Sequence, residues 1–238
     1  MMLRIIKQNS IFIGLCLLSI IIIGVVLLCV PKAELHLWLN MCHSPFLDGF
    51  FRGYTVLAEW VPYVFVALLL FYSFGWSAFL LTNLLVSGLI GQGLKYLFDT
   101  DRPVTWFANR FPDIQLQLVD GVHMSKFYSC PSGHTITFFV LFFTLCMIIT
   151  DYFSVESTCQ TTKHSKNIAT QVVCFLLALT GAYSRIYLSQ HFAEDIWAGI
   201  IIALFVSMAF CAILPLVSDK KWYKMHFFAK KIQKNLVD

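Results

Sequence analysis

SAFLLTNLLVSGLIGQGLKYLFDTDRP (77–103) joins a long apolar run to a short group of charged residues. The run over residues 77–98 carries a single charge, at Lys95, and its length matches the ~20 residues that an α-helix needs to cross ~30 Å of hydrocarbon. Charged side chains then crowd residues 99–102. The stretch therefore predicts a transmembrane helix that ends in a polar group at the membrane surface.

The whole chain has the composition of a membrane protein. Hydrophobic residues make up 58% of the 238 residues, charged residues make up 13%, and the mean hydropathy is +0.74. An ordinary soluble domain is less apolar. We therefore predict an all-α integral membrane protein with six transmembrane helices. The predicted spans are 11–30, 56–74, 77–98, 135–150, 168–187 and 196–217.

The orientation follows from the number of spans and from the basic residues. The first span has no small-residue cleavage site after it, so we interpret it as a retained helix rather than a secretory signal. Six spans place both termini on one side, and ten of the 17 Lys and Arg residues fall there, which predicts cytoplasmic termini. The basic, aromatic tail at 218–238 is typical of a segment lying against anionic headgroups and indicates no nucleic-acid partner.

The chain shows no sign of a redox motif or of a second domain. Its eight cysteines include no CxxC pair, and most fall within predicted spans. Only Cys42 and Cys130 share the predicted outer face, where they could form a disulfide in an oxidising compartment. We predict a single domain over residues 1–238, with a long outer connection at 99–133 and a cytoplasmic tail at 218–238.

Three polar clusters fall at predicted helix ends on one face of the membrane: KYLFDTDRP (95–103), CPSGHT (130–135) and SRIYLSQHFAED (184–195). Each has a simple structural explanation when it is taken alone. A lysine near a helix end can snorkel to the interface, and a serine after a proline can cap a helix. A histidine and an aspartate four residues apart can pair with each other.

Taken together, the clusters indicate a phosphate site. Lys95, Arg102 and Arg185 place three cations on one face, and guanidinium groups match phosphate oxygens with paired hydrogen bonds. The backbone N–H groups of Ser132 and Gly133, at a helix N-terminus, add donors and a favourable dipole for an anion. This predicted anion cradle uses no metal or other cofactor.

Two histidines supply the remaining chemistry. Cleavage of a phosphate ester requires a nucleophile that attacks phosphorus and an acid that protonates the leaving oxygen. Asp195 lies one helical turn after His191 and can accept a hydrogen bond from its Nδ1, which leaves Nε2 free to attack. His134 is then available as the acid.

The clusters resemble the three-part motif of the type 2 phosphatidic acid phosphatase superfamily: K-x6-RP (95–103), PSGH (131–134) and SR-x5-H-x3-D (184–195), with every position matched in order and spacing. The resemblance implies a six-helix, haloperoxidase-like bundle core and hydrolysis without a cofactor. It implies that His191 is the nucleophile that forms a phosphohistidine, and that His134 is the general acid. The other implied site residues are Asp195, as the partner of His191, and Lys95, Arg102, Ser132, Gly133 and Arg185, which would bind the phosphoryl group.

The resemblance also bears on the substrate. It implies a lipid phosphatase of the bacterial inner membrane, with a periplasmic active site, a lipid phosphate substrate and no obligatory protein partner. Segments 58–66, 85–98 and 121–135 are similar to bacterial members that include lipid A phosphatases, which favours lipid A. Undecaprenyl diphosphate, phosphatidylglycerol phosphate and phosphatidate stay open as substrates, and a lipid phosphotransferase using the same intermediate stays open as a second class.

Two further classes fit the sequence less well. A transporter would place ionisable residues near the membrane midplane, whereas the predicted spans are almost free of charge. A zinc hydrolase could use His134, His191 and Asp195 as ligands, but its metal would lie beside three other cations. These patterns therefore favour a metal-independent hydrolase.

One acidic residue receives a separate interpretation. Glu59 precedes Trp60 near the outer start of the predicted span 56–74. Acidic residues favour helix N-termini, and tryptophan is enriched at membrane interfaces. We therefore interpret this pair as a helix start with an interfacial anchor.

Overall fold

The computed structural model describes residues 2–156 and 160–217, and within them every regular element is an α-helix. The helices in chain order are α1 Met2–Gln8, α2 Ser10–Cys29, α3 Lys32–Leu39, α4 Pro45–Tyr72, α5 Phe74–Phe98, α6 Pro103–Arg110, α7 Gly133–Glu156, α8 Gln160–Tyr187 and α9 Ala193–Val217. Of these, α2, α4, α5, α7, α8 and α9 are long and apolar enough to cross a membrane. The predicted all-α protein with six spans is confirmed. The basic tail lies outside the described residues.

Helix α4 departs most from its predicted bounds. It begins at Pro45 rather than at residue 56, because the hydroxyl of Ser44 caps it by accepting a hydrogen bond from the Leu47 N–H at 3.3 Å. Proline in the first turn also suits a helix start, since its missing N–H would have no partner there. Glu59 therefore lies well inside a spanning helix, and its interpretation as part of a helix start was wrong.

The predicted outer connection at 99–133 contains helix α6 and otherwise irregular backbone. Its last residues are bonded to the end of α5. The N–H of Ser129 donates to the carbonyl of Thr100, and the N–H of Cys130 donates to the Thr100 hydroxyl, both at 3.0 Å. Cys42 and Cys130 are both free thiols, so the disulfide considered from the sequence is not formed.

Helix α7 lies at the centre of the bundle and packs against α4, α5, α8 and α9. Close packing requires glycine at two contacts. Gly181 of α8 lies directly against the ring of Phe138, which leaves no room for a side chain. A Cβ at Gly199 of α9 would lie 3.1 Å from the carbonyl oxygen of Ser132. These glycines allow α8 and α9 to approach the start of α7 closely.

The helix ends that carry the polar clusters meet beside this start. The N–H of Ser132 donates to the carbonyl of Asp195 at 3.0 Å, which joins the start of α7 to the first turn of α9. Consecutive spans run in opposite directions, so the end of α5 and the end of α8 lie on the same side of the membrane as these two starts. The three polar clusters are thereby brought to one place.

Candidate active site

His191 lies in the turn between α8 and α9. The N–H groups of Gln190 and His191 both donate to the carbonyl of Arg185, at 2.9 and 3.1 Å, and Ser189 takes a left-handed conformation with φ of 48°. The turn therefore folds back over the end of α8. Its histidine is only 1% exposed.

A carboxylate holds one nitrogen of this histidine. His191 Nδ1 lies 3.2 Å from Asp195 Oδ2. The same oxygen accepts hydrogen bonds from the Ser129 hydroxyl at 2.5 Å and from the Phe192 N–H at 2.9 Å. These donors orient the carboxylate, which in turn orients the imidazole. Because its contacts with Asp195 and Ser129 both use Nδ1, Nε2 is the ring nitrogen left for chemistry.

The surroundings of His191 favour the neutral imidazole. Burial, followed by the positive charges of Arg102, Arg185 and Lys95, holds the pKa of His191 well below its usual range. A neutral ring that donates from Nδ1 to Asp195 has an unprotonated Nε2. The site therefore presents an unprotonated ring nitrogen at neutral pH.

The two arginines are held by neutral partners. Arg102 Nη1 and Arg185 Nη2 both donate to the side-chain oxygen of Gln190, at 3.2 and 3.4 Å. Arg102 Nε donates to the carbonyl of Phe127 at 3.0 Å, and Arg185 Nη1 donates to the Thr55 hydroxyl at 2.5 Å. A single amide thus fixes the spacing of two guanidinium groups without neutralising either of them.

Lys95 adds a third cation to this group. Its Nζ lies 3.8 Å from the position that a Cβ on Gly133 would occupy, so the amino group reaches the start of α7. Among the described residues, no carboxylate oxygen lies within 4.0 Å of the charged nitrogens of Lys95, Arg102 or Arg185. Both arginines are less than 10% exposed. Buried charge without a partner is costly, so this arrangement favours binding of an anion.

The start of α7 contributes fewer backbone donors than the sequence predicted. Ser132 N–H, assigned above to the phosphate, is already bonded to the carbonyl of Asp195. The Ser132 hydroxyl accepts from the hydroxyl of Thr135 at 3.0 Å and from its N–H at 3.4 Å, so Ser132 caps the helix. The Ser132 side chain itself is fully buried. Gly133 begins the helix, where N–H groups lack partners within the helix.

His134 occupies the second position of α7 and faces a carboxylate that the sequence did not associate with it. Its Nε2 is buried without a hydrogen-bond partner and lies 3.6 Å from Glu59 Oε1. That distance is too long for a hydrogen bond, but it is short enough for the carboxylate to attract a protonated imidazole. His134 is therefore positioned beside an acidic side chain of α4.

All eight predicted site residues belong to this one cluster, but sequence reasoning missed four of its side chains. Gln190 adjoins His191 in the chain and Ser129 lies three residues before Ser132, and their polarity was the only signal that could have drawn attention to them. Thr55 and Glu59 come from α4 and lie far from every motif, so only the packing of α4 reveals their place.

The three residues considered as zinc ligands do not form a metal site. His191 and Asp195 contact each other directly, whereas the acidic neighbour of His134 is Glu59. Over residues 2–156 and 160–217, no group of three or more His, Cys, Asp or Glu side chains is arranged to hold a metal ion.

A helical bundle with cations, two histidines and an aspartate at one end of its helices defines a multi-pass membrane phosphatase, and the chain belongs to the PAP2 superfamily, whose profile matches residues 76–218. The resemblance found in the motifs is confirmed. The matched region contains all eight predicted site residues, and it begins after α4. The protein is an enzyme that hydrolyses phosphoric esters.

Two individual proteins are similar to it. The chain is 28% identical over 181 residues to the lipid A 4'-phosphatase of Bacteroides thetaiotaomicron, an alignment that covers 72% of each protein. The crystal structure of Aquifex aeolicus LpxE matches with a TM-score of 0.56 and 21% identity, covering 76% of this chain and 94% of that one. At this identity the structural likeness shows a shared fold, which confirms the bundle that the sequence predicted.

Proposed function

We propose that this protein removes a phosphate from lipid A at the periplasmic face of the bacterial inner membrane, through a phosphohistidine intermediate. The observation that carries the proposal is the group of three cations, Lys95, Arg102 and Arg185, which the described residues leave without a carboxylate partner. A phosphoryl group supplies the missing negative charge, and it would lie beside the neutral His191.

The proposed reaction has two steps. In the first, His191 Nε2 attacks phosphorus, and the bond from phosphorus to the ester oxygen breaks with its electron pair passing to that oxygen. His134 donates its proton to the leaving oxygen. In the second step water attacks the phosphohistidine, the bond from phosphorus to nitrogen breaks, and His134 accepts the proton of the water. Inorganic phosphate leaves, and both histidines return to their starting forms.

The other site residues have proposed roles that follow from their contacts. Asp195 stabilises the positive charge that His191 gains when its Nε2 bonds to phosphorus. The three cations, the hydroxyl of Ser132 and the N–H of Gly133 bind the phosphoryl oxygens. These donors are already in place before the reaction, so they stabilise the charge of the transition state without reorganising.

An amphiphilic substrate suits the surroundings of the site. Trp60 follows Glu59 and is 69% exposed, and Leu97, two residues after Lys95, is 74% exposed. Apolar side chains that face outward on spanning helices contact lipid. A phosphorylated lipid could therefore place its headgroup among the cations while its acyl chains stay in the bilayer.

Among lipid phosphates, lipid A is favoured because the Bacteroides relative is a lipid A 4'-phosphatase. Deleting the gene is expected to shift the lipid A species upward by the mass of one phosphate group, and restoring it should reverse the shift. Mass spectrometry of extracted membrane lipids measures both. Complementation with His191→Ala provides the matched control. Unchanged lipid A together with accumulating undecaprenyl diphosphate would contradict the choice of substrate.

The proposed orientation has its own test. Reporter fusions after residue 110, at the end of α6, should report an extracytoplasmic position, because that segment lies on the side of the candidate site. Fusions after residue 160 and at the C-terminus should report the cytoplasm. The measurement is activity of a periplasm-dependent reporter beside a cytoplasm-dependent one. The opposite pattern would exclude a periplasmic active site.

A further inference from the structure

Glu59 is an ionisable side chain on a spanning helix, and the mechanism above gives it no task. It lies in α4, one turn after Thr55, whose hydroxyl accepts a hydrogen bond from Arg185. Its carboxylate is 53% exposed and approaches His134 Nε2 to 3.6 Å. Charged residues on membrane-spanning helices are costly and commonly have a function. The carboxylate of Glu59 therefore needs an explanation, and its neighbour suggests one.

His134 faces an electrostatic difficulty as a general acid. It must carry a proton before the ester bond breaks, yet its surroundings oppose the positive charge that this proton brings. Burial opposes that charge, and so do the positive charges of Arg185 from α8, Lys95 from α5 and Arg102 from the segment before α6. A nearby negative charge would offset their effect.

We propose that Glu59 is a positioning residue that holds His134 in its protonated form, ready to protonate the leaving oxygen; this inference rests on the proposed function. The separation of 3.6 Å lets the ionised carboxylate act through its charge. It is also too long for a hydrogen bond, so Glu59 leaves the Nε2–H without a competing acceptor. Glu59 itself takes no proton: the proton remains on His134 until the ester bond breaks.

The first test replaces the charge and keeps the shape. In Glu59→Gln, kcat/KM for a lipid phosphate, whose leaving alkoxide needs a proton, should fall about tenfold, a part of the ~10²–10⁴ that a general acid contributes. An aryl phosphate, which leaves well without a proton, should be affected little. Glu59→Asp should recover part of the loss. Glu34→Gln, at an exposed carboxylate of α3, is the matched control and should keep full activity.

The pH profile gives a readout that a purely structural role would not move. Activity falls at high pH once the acid loses its proton. Removing the carboxylate destabilises the protonated form of His134, so in Glu59→Gln this fall in kcat/KM should move to lower pH. A profile that keeps its position while the activity drops would overturn the proposal.

A double variant tests whether Glu59 acts through His134. If Glu59 acts through His134, then Glu59→Gln should cause no further loss in a His134→Ala background. The same loss in both backgrounds, or an equal loss on lipid and aryl phosphates, would overturn the role of Glu59 while leaving the proposed function intact. An equal loss of kcat/KM on both substrates in His134→Ala itself would instead overturn the general-acid assignment, and the role of Glu59 with it.

Discussion

His191→Ala is expected to abolish hydrolysis of lipid and aryl phosphates alike, with a loss of at least about 10⁴-fold, because it removes the atom that bonds to phosphorus. No other described side chain offers a neutral nitrogen that is oriented by a carboxylate within this cluster. A better leaving group cannot replace a missing nucleophile. The loss should therefore be the same for every substrate.

The decisive measurement for this variant is the covalent intermediate. A substrate labelled in its phosphate should transfer the label to the intact enzyme in a single turnover quenched in alkali, since a phosphohistidine is labile in acid. His191→Ala should take up no label. His123→Ala, at an exposed histidine of the outer loop, is the matched control and should label normally. Label on His191→Ala, or loss of wild-type activity on adding a chelator, would contradict the phosphohistidine mechanism.

His134→Ala is expected to lose about 10²–10⁴-fold in kcat/KM, which reports the steps up to release of the first product, on lipid phosphates but much less on aryl phosphates. The variant lacks only the proton for the departing oxygen. An aryloxide leaves without that proton, whereas an alkoxide does not. The ratio of the two rates, measured side by side with the wild-type enzyme, isolates this contribution from any general damage to the site.

In His134→Ala, we also expect the second step, hydrolysis of the phosphoenzyme, to become the slow one. With an aryl phosphate, the first step should remain fast enough for the phosphoenzyme to form, and label should accumulate because His134 also activates the attacking water. Label should then appear on His134→Ala but never on His191→Ala. If both variants behaved alike on both substrates, the separate roles of the two histidines would be excluded.

Much of the fold could be predicted because its signals are local. Transfer of a backbone into lipid requires internal hydrogen bonds, so runs of about 20 apolar residues must be helices, and their number could be counted directly. The bounds failed at α4, where a polar and aromatic first section at residues 45–55 extends the helix beyond its apolar run. Hydropathy alone does not register a serine cap followed by proline.

The sequence predicted the main residues of the candidate site but not all of the hydrogen bonds between them. Spacing along the chain placed His191 and Asp195 one helical turn apart, and they do contact each other. The same reasoning assigned the Ser132 N–H to a phosphate, although Asp195 already accepts from it. A donor's partner depends on which chain segment lies opposite, and a motif does not contain that information.

By itself, therefore, the sequence determined the class of this protein, its six spans, and the residue types that meet at one end of them, because apolar length and motif spacing act over short distances along the chain. Only the tertiary structure decided what surrounds those residues. Arg185 bonds to Thr55, 130 residues away, and Glu59 lies beside His134. These contacts arise because α4 packs against α7 and α8. Such packing depends on the shapes of whole helix faces, so no single segment of sequence specifies it.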